Sequence, residues 1–343
     1  MTNIKWLLAG AGDIARRRAA AALREAANSV ITAICDPVPG KAADLAERMG
    51  VNAVFTDYAQ ALDQSGADAV YIASPVFCHH DMCIMAAEHG IPFLCEKPLA
   101  LCGAEAARIL RAAKRNKVTA ACSNYRVFCG QYQLTRQIIE SGEVGALRGG
   151  RACYIQMPFN PNRRQLREAL GDSPVRQLGF YVLDIIRRFL GMPTEVFARC
   201  TTFPGNDDPG WDLDDITSMI LFFPNGGQFT FVVHYAHGTS HEFELFGSKG
   251  RIRWPNWPPH GNEPVQVISG NGPDGIRELP AVNAANFHLP LVEDFIAALQ
   301  QGRQPVCSLD EAVATEYIID AIFQSAASGR PEAVHRPDQK DFE

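Results

Sequence analysis

Residues 9–15 read Ala-Gly-Ala-Gly-Asp-Ile-Ala, directly after the apolar run 4–8 and at the mouth of an alanine-rich helical stretch. Gly10, Gly12 and Ala15 thus fill a G-x-G-x-x-A pattern in the strand–turn–helix context that a dinucleotide requires. Gly10 permits the tight turn, Gly12 presents no β-carbon to a pyrophosphate, and Ala15 lets helix and strand pack closely. The free N–H groups and positive dipole end of the helix then receive the phosphate charge, with Asp13 and Ile14 in the same turn. Asp36 ends the second apolar run, where a carboxylate meets the adenosine ribose hydroxyls and repels a 2′-phosphate. The pattern predicts NAD as cofactor. NADP is the alternative, because Lys41 stands near enough in sequence to offset Asp36.

Around this turn, the first 120 residues alternate short β-rich runs (4–8, 30–35, 69–73, 93–95, 119–122) with helix-like runs (14–27, 40–49, 79–89, 103–114). That alternation predicts an α/β, doubly wound parallel sheet covered on both faces. Later segments are longer and β-prone: 151–156, 194–202, 216–223, 228–235, 241–246 and 251–254. Turns such as Pro224-Asn225-Gly226-Gly227 between them imply antiparallel pairing. Helices are predicted at 132–141, 178–190, 291–301 and 309–327, and loops with one hairpin over 255–280. The expected organisation is a Rossmann domain over 1–122 and an α+β domain over 123–343 with a large, mostly antiparallel open sheet.

Composition narrows the function. Thirty-two basic against 38 acidic residues leave a formal charge of −6, which argues against nucleic acid as partner. No run approaches the roughly 18 apolar residues of a membrane span, and the opening apolar run is too short for a signal sequence, so a cytoplasmic location is expected. The ten cysteines include no C-x-x-C pair, which speaks against a zinc ribbon or disulfide framework. The crowded Cys78-His79-His80-Asp81-Met82-Cys83 has no matching cluster elsewhere, and no metal is expected.

The chemical signal is Glu96-Lys97-Pro98, at the carboxyl end of the fifth strand, where open α/β sheets bind ligands. Read with Gly10–Ala15, Ala73-Ser74-Pro75 and His79, Asn124-Tyr125-Arg126, Gly142-Glu143-Val144-Gly145, the segment 178–184 and Gly247-Ser248-Lys249-Gly250, the chain resembles the glucose-fructose oxidoreductase and inositol dehydrogenase (Gfo/Idh/MocA) family almost end to end. The resemblance implies hydride exchange between a nicotinamide cofactor and a sugar or cyclitol carbon, in a homodimer or homotetramer associating through the open sheet. It places Lys97 on the reacting oxygen, and Ser74, Pro75, His79, Glu96 and Pro98 around the cofactor.

Two departures stand out. The family helix usually reads D-x-G-x-H-x-x-D, whereas this chain has Gln177, Gly179, Tyr181 and Asp184. Tyr181 becomes the expected acid/base, with Lys97 stabilising the developing charge. A phenol titrating near ~10 needs about 3 kcal/mol of preference for phenolate to reach ~7.5, within reach of one close cation. Asn124, Arg126, Gln177 and Asp184 are the remaining candidates for binding a carbohydrate-like substrate. Arg163, Arg164, Trp211, His237, Trp254 and Trp257 are polar or aromatic residues where specificity would be set. Two rivals stay open: an enzyme that oxidises a sugar only transiently to permit elimination, and a non-catalytic dinucleotide-binding regulator.

Overall fold

The strand formed by Ile4–Ala9 (β1) carries Trp6, Leu7, Leu8 and Ala9 with no exposure at all, as a strand covered on both faces must. The computed structural model describes residues 3–156, 171–203, 213–236, 238–256, 262–269 and 275–335. Arg163, Arg164, Trp211, His237 and Trp257 lie outside the described residues. The chain divides into two units: residues 1–125 with 284–313 and 337–343, and residues 126–283 with 314–336.

In the first unit, β1 is the centre of a six-stranded sheet with Ser29–Cys35 (β2), Ala53–Phe55 (β3), Ala69–Ile72 (β4), Phe93–Cys95 (β5) and Ala120–Cys122 (β6). The order is β3-β2-β1-β4-β5-β6, every pair parallel, which is the doubly wound dinucleotide topology. The first connection is a π-type turn, Ala15–Ala19, running into Ala20–Glu25 (α1). Pro39–Met49 (α2), Tyr58–Gln64 (α3), His79–Glu88 (α4) and Gly103–Arg115 (α5) complete the crossovers. In α5, Ala106, Ala107, Ile109, Leu110 and Ala113 recur at helical spacing on the buried side, while Glu105 opens and Lys114 and Arg115 close the helix in accord with its dipole.

The division read from the sequence at 122/123 assigns everything downstream to a second domain. In the structure, residues 284–313 belong to the first unit instead. Phe295 packs on Trp6 with ring centroids 5.6 Å apart, Ser308 bridges to Ala121, and Cys122 N–H donates to Cys307 O at 3.0 Å. The returning segment therefore extends the edge of the sheet at β6 and covers the face beneath β1.

The second unit is built on nine strands: Leu147–Ile155 (β7), Glu195–Thr201 (β8), Ile216–Phe222 (β9), Gln228–His234 (β10), Ser240–Gly247 (β11), Arg251–Trp254 (β12), Val265–Ile268 (β13), Ile276–Leu279 (β14) and Glu332–Ala333 (β15). Their order is β14-β13-β12-β11-β7-β10-β9-β8-β15, antiparallel except where β7 and β10 run parallel. Gly149 and Gly150 sit in β7, and a β-carbon at either would collide with the backbone of Gln228 or Glu244 on the flanking strands. Alternation sends Ala152 and Tyr154, Phe229 and Phe231, and Phe243 and Leu245 to one buried face. Gly130–Glu140 (α6), Phe180–Leu190 (α7) and Leu309–Ser328 (α9) supply the helices, with Leu289–Gln301 (α8) in the first unit. Trp254 is fixed by stacking on Phe243 and by donating Nε1–H to Thr135 Oγ1 at 2.8 Å. No helix among the described residues is long and apolar enough to cross a membrane.

Candidate active site

The glycine turn follows from its local geometry. Gly10 has φ +103°, and a β-carbon there would stand 2.5 Å from Ala73 O, so only glycine lets β1 and β4 approach this closely at their carboxyl ends. Gly12 has no atom within 4 Å of where its β-carbon would be, which leaves open the space a pyrophosphate would need. Asp13 is exposed and pairs with Arg17 at 3.2 Å; Ile14 is half-buried and Ala15 fully buried. Asp36 is 8% exposed; Oδ2 accepts from Ala11 N–H at 2.8 Å and Oδ1 from Val38 N–H at 2.9 Å. Each oxygen keeps a second lone pair. The turn and the carboxylate are thus locked together, and the donor set fits a dinucleotide whose ribose hydroxyls meet Asp36.

Arg16 opens the basic run 16–18. It holds the turn from the other side: Nε–H donates to Ala11 O at 2.8 Å, NH2 donates to Lys41 O at 2.9 Å, and the guanidinium pairs with Asp44. That pairing lowers the carboxyl titration of Asp44.

Glu96, Lys97 and Pro98 follow β5 at the carboxyl edge of the same sheet. Glu96 is 4% exposed, and its Oε1 accepts from Tyr71 O–H at 2.6 Å and from His288 Nε2–H at 3.2 Å. Burial works against ionisation of Glu96, but His288, Tyr71 and the charge of Lys97 outweigh it and bring its titration below the usual glutamate value. Tyr71, donor to that carboxylate, is pushed well above the ordinary phenol value by its own burial and by Glu96. The Lys97–Pro98 peptide is cis, and Lys97 is half-buried. His79 is buried between two carbonyls, Nδ1 at 2.8 Å from Pro98 O and Nε2 at 3.0 Å from Ser74 O; burial lowers its titration. It thereby ties the Ser74-Pro75 turn after β4 to the Lys97-Pro98 turn after β5. Among the described residues there is no group of three or more potential metal ligands.

His288 escaped the sequence reading because no local motif marks it: 192 positions separate it from Glu96. Its ring lies 4.7 Å from that of Tyr125, and the neighbouring Phe287 stacks on Tyr125 at 5.9 Å. Asn124 is buried nearby, its carbonyl 3.4 Å from Cys307 Sγ.

The second unit gathers Arg126, Gln177, Tyr181 and Asp184. Tyr181 is 7% exposed near the start of α7, and the Arg126 guanidinium, 5% exposed, lies over its ring at 4.9 Å from the centroid. Gln177 donates Nε2–H to Gly171 O at 3.2 Å and to Asp172 Oδ1 at 3.4 Å. Asp184 is 1% exposed; Oδ1 accepts from Arg187 at 2.7 Å and from Thr315 Oγ1–H at 3.2 Å, and Oδ2 from Arg188 at 2.8 Å. Burial opposes its ionisation, and the two arginines reverse that and lower its titration. This arrangement ties α7 to α9.

The comparisons with known proteins agree with this layout. Residues 4–124 match the oxidoreductase family with NAD-binding Rossmann fold, and residues 132–253 match the GFO/IDH/MocA C-terminal domain. The chain belongs to the Gfo/Idh/MocA oxidoreductase family. The resemblance read from the motifs is confirmed, and with it an NAD(P)-dependent oxidoreductase. Among curated relatives of the Gfo/Idh/MocA chain, D-apiose dehydrogenase of Rhizobium rhizogenes is 25% identical over 96% of this chain and 97% of its own. The dTDP-3,4-didehydro-2,6-dideoxy-alpha-D-glucose 3-reductase of Streptomyces violaceoruber is 29% identical over 86% of each. Among solved structures, levoglucosan dehydrogenase in complex with NADH and levoglucosan is 25% identical, covers 98% of this chain and 100% of its own, and superposes with a TM-score of 0.87.

Proposed function

We propose that the protein interconverts a secondary alcohol and ketone on a sugar, cyclitol or nucleotide-linked deoxysugar, with NAD preferred over NADP. The observation that carries this reading is Lys97 at the carboxyl edge of the sheet, beside a buried, ionised Glu96 and in the same unit as the Gly10–Ala15 turn and Asp36. Bound there, the nicotinamide dinucleotide supplies the hydride acceptor or donor. Gly10, Gly12, Ala15 and Asp36 would hold its phosphates and adenosine ribose, and Ser74, Pro75, His79, Glu96 and Pro98 would shape the nicotinamide end.

Lys97 supplies an ammonium for the negative charge that develops on the reacting oxygen, and Tyr181 has the role of acid/base. Gln177 and Asn124 serve substrate hydroxyls. The Asp36 carboxylate disfavours a 2′-phosphate by charge. The curated relatives that act on levoglucosan, D-apiose and D-xylose set the first substrates to try. We also propose a cytoplasmic homodimer or homotetramer associating through the sheet face that carries Phe197, 39% exposed, beside Ile220.

The test is reduction of NAD and of NADP, followed by absorbance, across a panel of those three sugars, inositols and deoxysugars. The expected result is turnover with NAD that Lys97→Met abolishes, and a shift toward NADP in Asp36→Ser. Tight NADH binding with no turnover of any compound would instead indicate a regulator. Product release with no net change in NADH would indicate transient oxidation followed by elimination.

A further inference from the structure

We infer that Arg126 is a positioning residue whose guanidinium, lying over the ring of Tyr181, primes that phenol to give up its proton. This rests on Tyr181 as the proton-exchanging group. The sequence alone offered Lys97 as the cation for that task; the structure supplies one within the same unit as the tyrosine, 4.9 Å from its ring centroid.

The physical case begins with burial. Both side chains are more than nine-tenths buried, so their interaction is weakly screened by solvent. A neutral phenol already attracts a cation through the negative face of its ring. Loss of the proton spreads a full charge over the oxygen and ring, so the attraction is stronger for phenolate than for phenol. A group that binds one protonation state more tightly shifts the titration toward it.

Among the described residues, the charged groups along α7 and in the turn before it have partners of their own. Position 177, one turn before Tyr181, carries an amide directed at Gly171 O and Asp172 Oδ1, so the helix itself brings no carboxylate from that side. Asp184, one turn after, is committed to Arg187 and Arg188. Arg176, in the π-type turn Val175–Gly179 that leads into α7, faces Glu316 of α9 at 3.6 Å. On the sheet side, His241 meets Tyr154 edge-on at 4.7 Å. Burial raises the phenol and Arg126 lowers it, and the balance decides whether Tyr181 works near neutral pH.

The experiment needs no substrate. Protein labelled with ¹³C at the tyrosine ζ position is titrated by NMR, with Tyr181→Phe assigning the Tyr181 resonance among the eight tyrosines. In the wild type, Tyr181 is expected to titrate below the ordinary value near ~10. Arg126→Met raises its midpoint by about one to two pH units, and Arg126→Lys, which keeps the charge without the guanidinium, raises it less. A wild-type midpoint at or above ~10, or a shift in Arg126→Met smaller than about 0.3 unit, overturns the inference. If Arg126→Met does not fold, the wild-type titration and the lysine variant decide. Absence of turnover across the sugar panel would defeat the dehydrogenase reading and leave this titration standing.

Discussion

Replacing His288 by leucine removes one of the two side-chain donors that, among the described residues, converge on Glu96 Oε1, and leaves the Tyr71 hydroxyl there with Lys97 N–H 3.4 Å from Oε2. A hydrogen bond to a charged group contributes about 1.5–3 kcal/mol, and at 3.2 Å this one lies at the long end of N–H···O geometry, so about 1.5–2 kcal/mol is expected. Leucine still fills the space against Tyr125, so the loss isolates the donor. The assay is urea unfolding of the wild type, His288→Leu, Glu96→Gln and the double variant, with the coupling energy read from the cycle. His288→Gln, which keeps an N–H donor, should recover more than half of the loss.

The pH dependence follows from Glu96, whose titration is lowered on folding. Its contribution is fully present above the unfolded value near ~4.3 and disappears as pH falls through the lower folded value. The gap between wild type and His288→Leu should therefore close in acid. A coupling energy below about 0.5 kcal/mol, or equal losses for leucine and glutamine, would refute the view that His288 acts through Glu96.

Asp184→Asn should cost about 3–5 kcal/mol, because it removes the charge of the buried carboxylate with which Arg187 and Arg188 both pair. Since folding lowers the titration of Asp184, the wild type's advantage is complete above about pH 4 and shrinks below it, which urea unfolding at several pH values will show. A fragment of residues 1–125 should fail to give the near-UV signal of a packed Trp6 or to bind NADH, because Phe295 and the Cys307–Ser308 edge are missing. Joining residues 284–313 to that fragment through a flexible linker should restore both, as measured by circular dichroism and NADH fluorescence.

The first sheet was legible because strands buried on both faces are continuous apolar runs between glycine turns: 93–95 coincides with β5, and 4–8 falls one residue short of β1. β3 was missed, being three residues long with no fully buried position. The predicted hairpin within 255–280 is β13 and β14. The parallel pairing of β7 with β10 was not legible, since strand direction depends on partners far apart in sequence. At the candidate site, motifs reveal residues that are neighbours in sequence, such as Glu96 and Lys97. They are silent on His288, which has no near neighbour of chemical note, and on the placement of Arg126 over Tyr181, 55 positions apart.

The return of residues 284–313 to the first sheet has a consequence for synthesis on the ribosome. When the glycine turn and its strands have emerged, Trp6 still lacks Phe295 and Glu96 still lacks His288. The first unit lacks these partners until residues 284–313 have been translated. A prematurely terminated product would therefore be a poor competitor for the cell's dinucleotide.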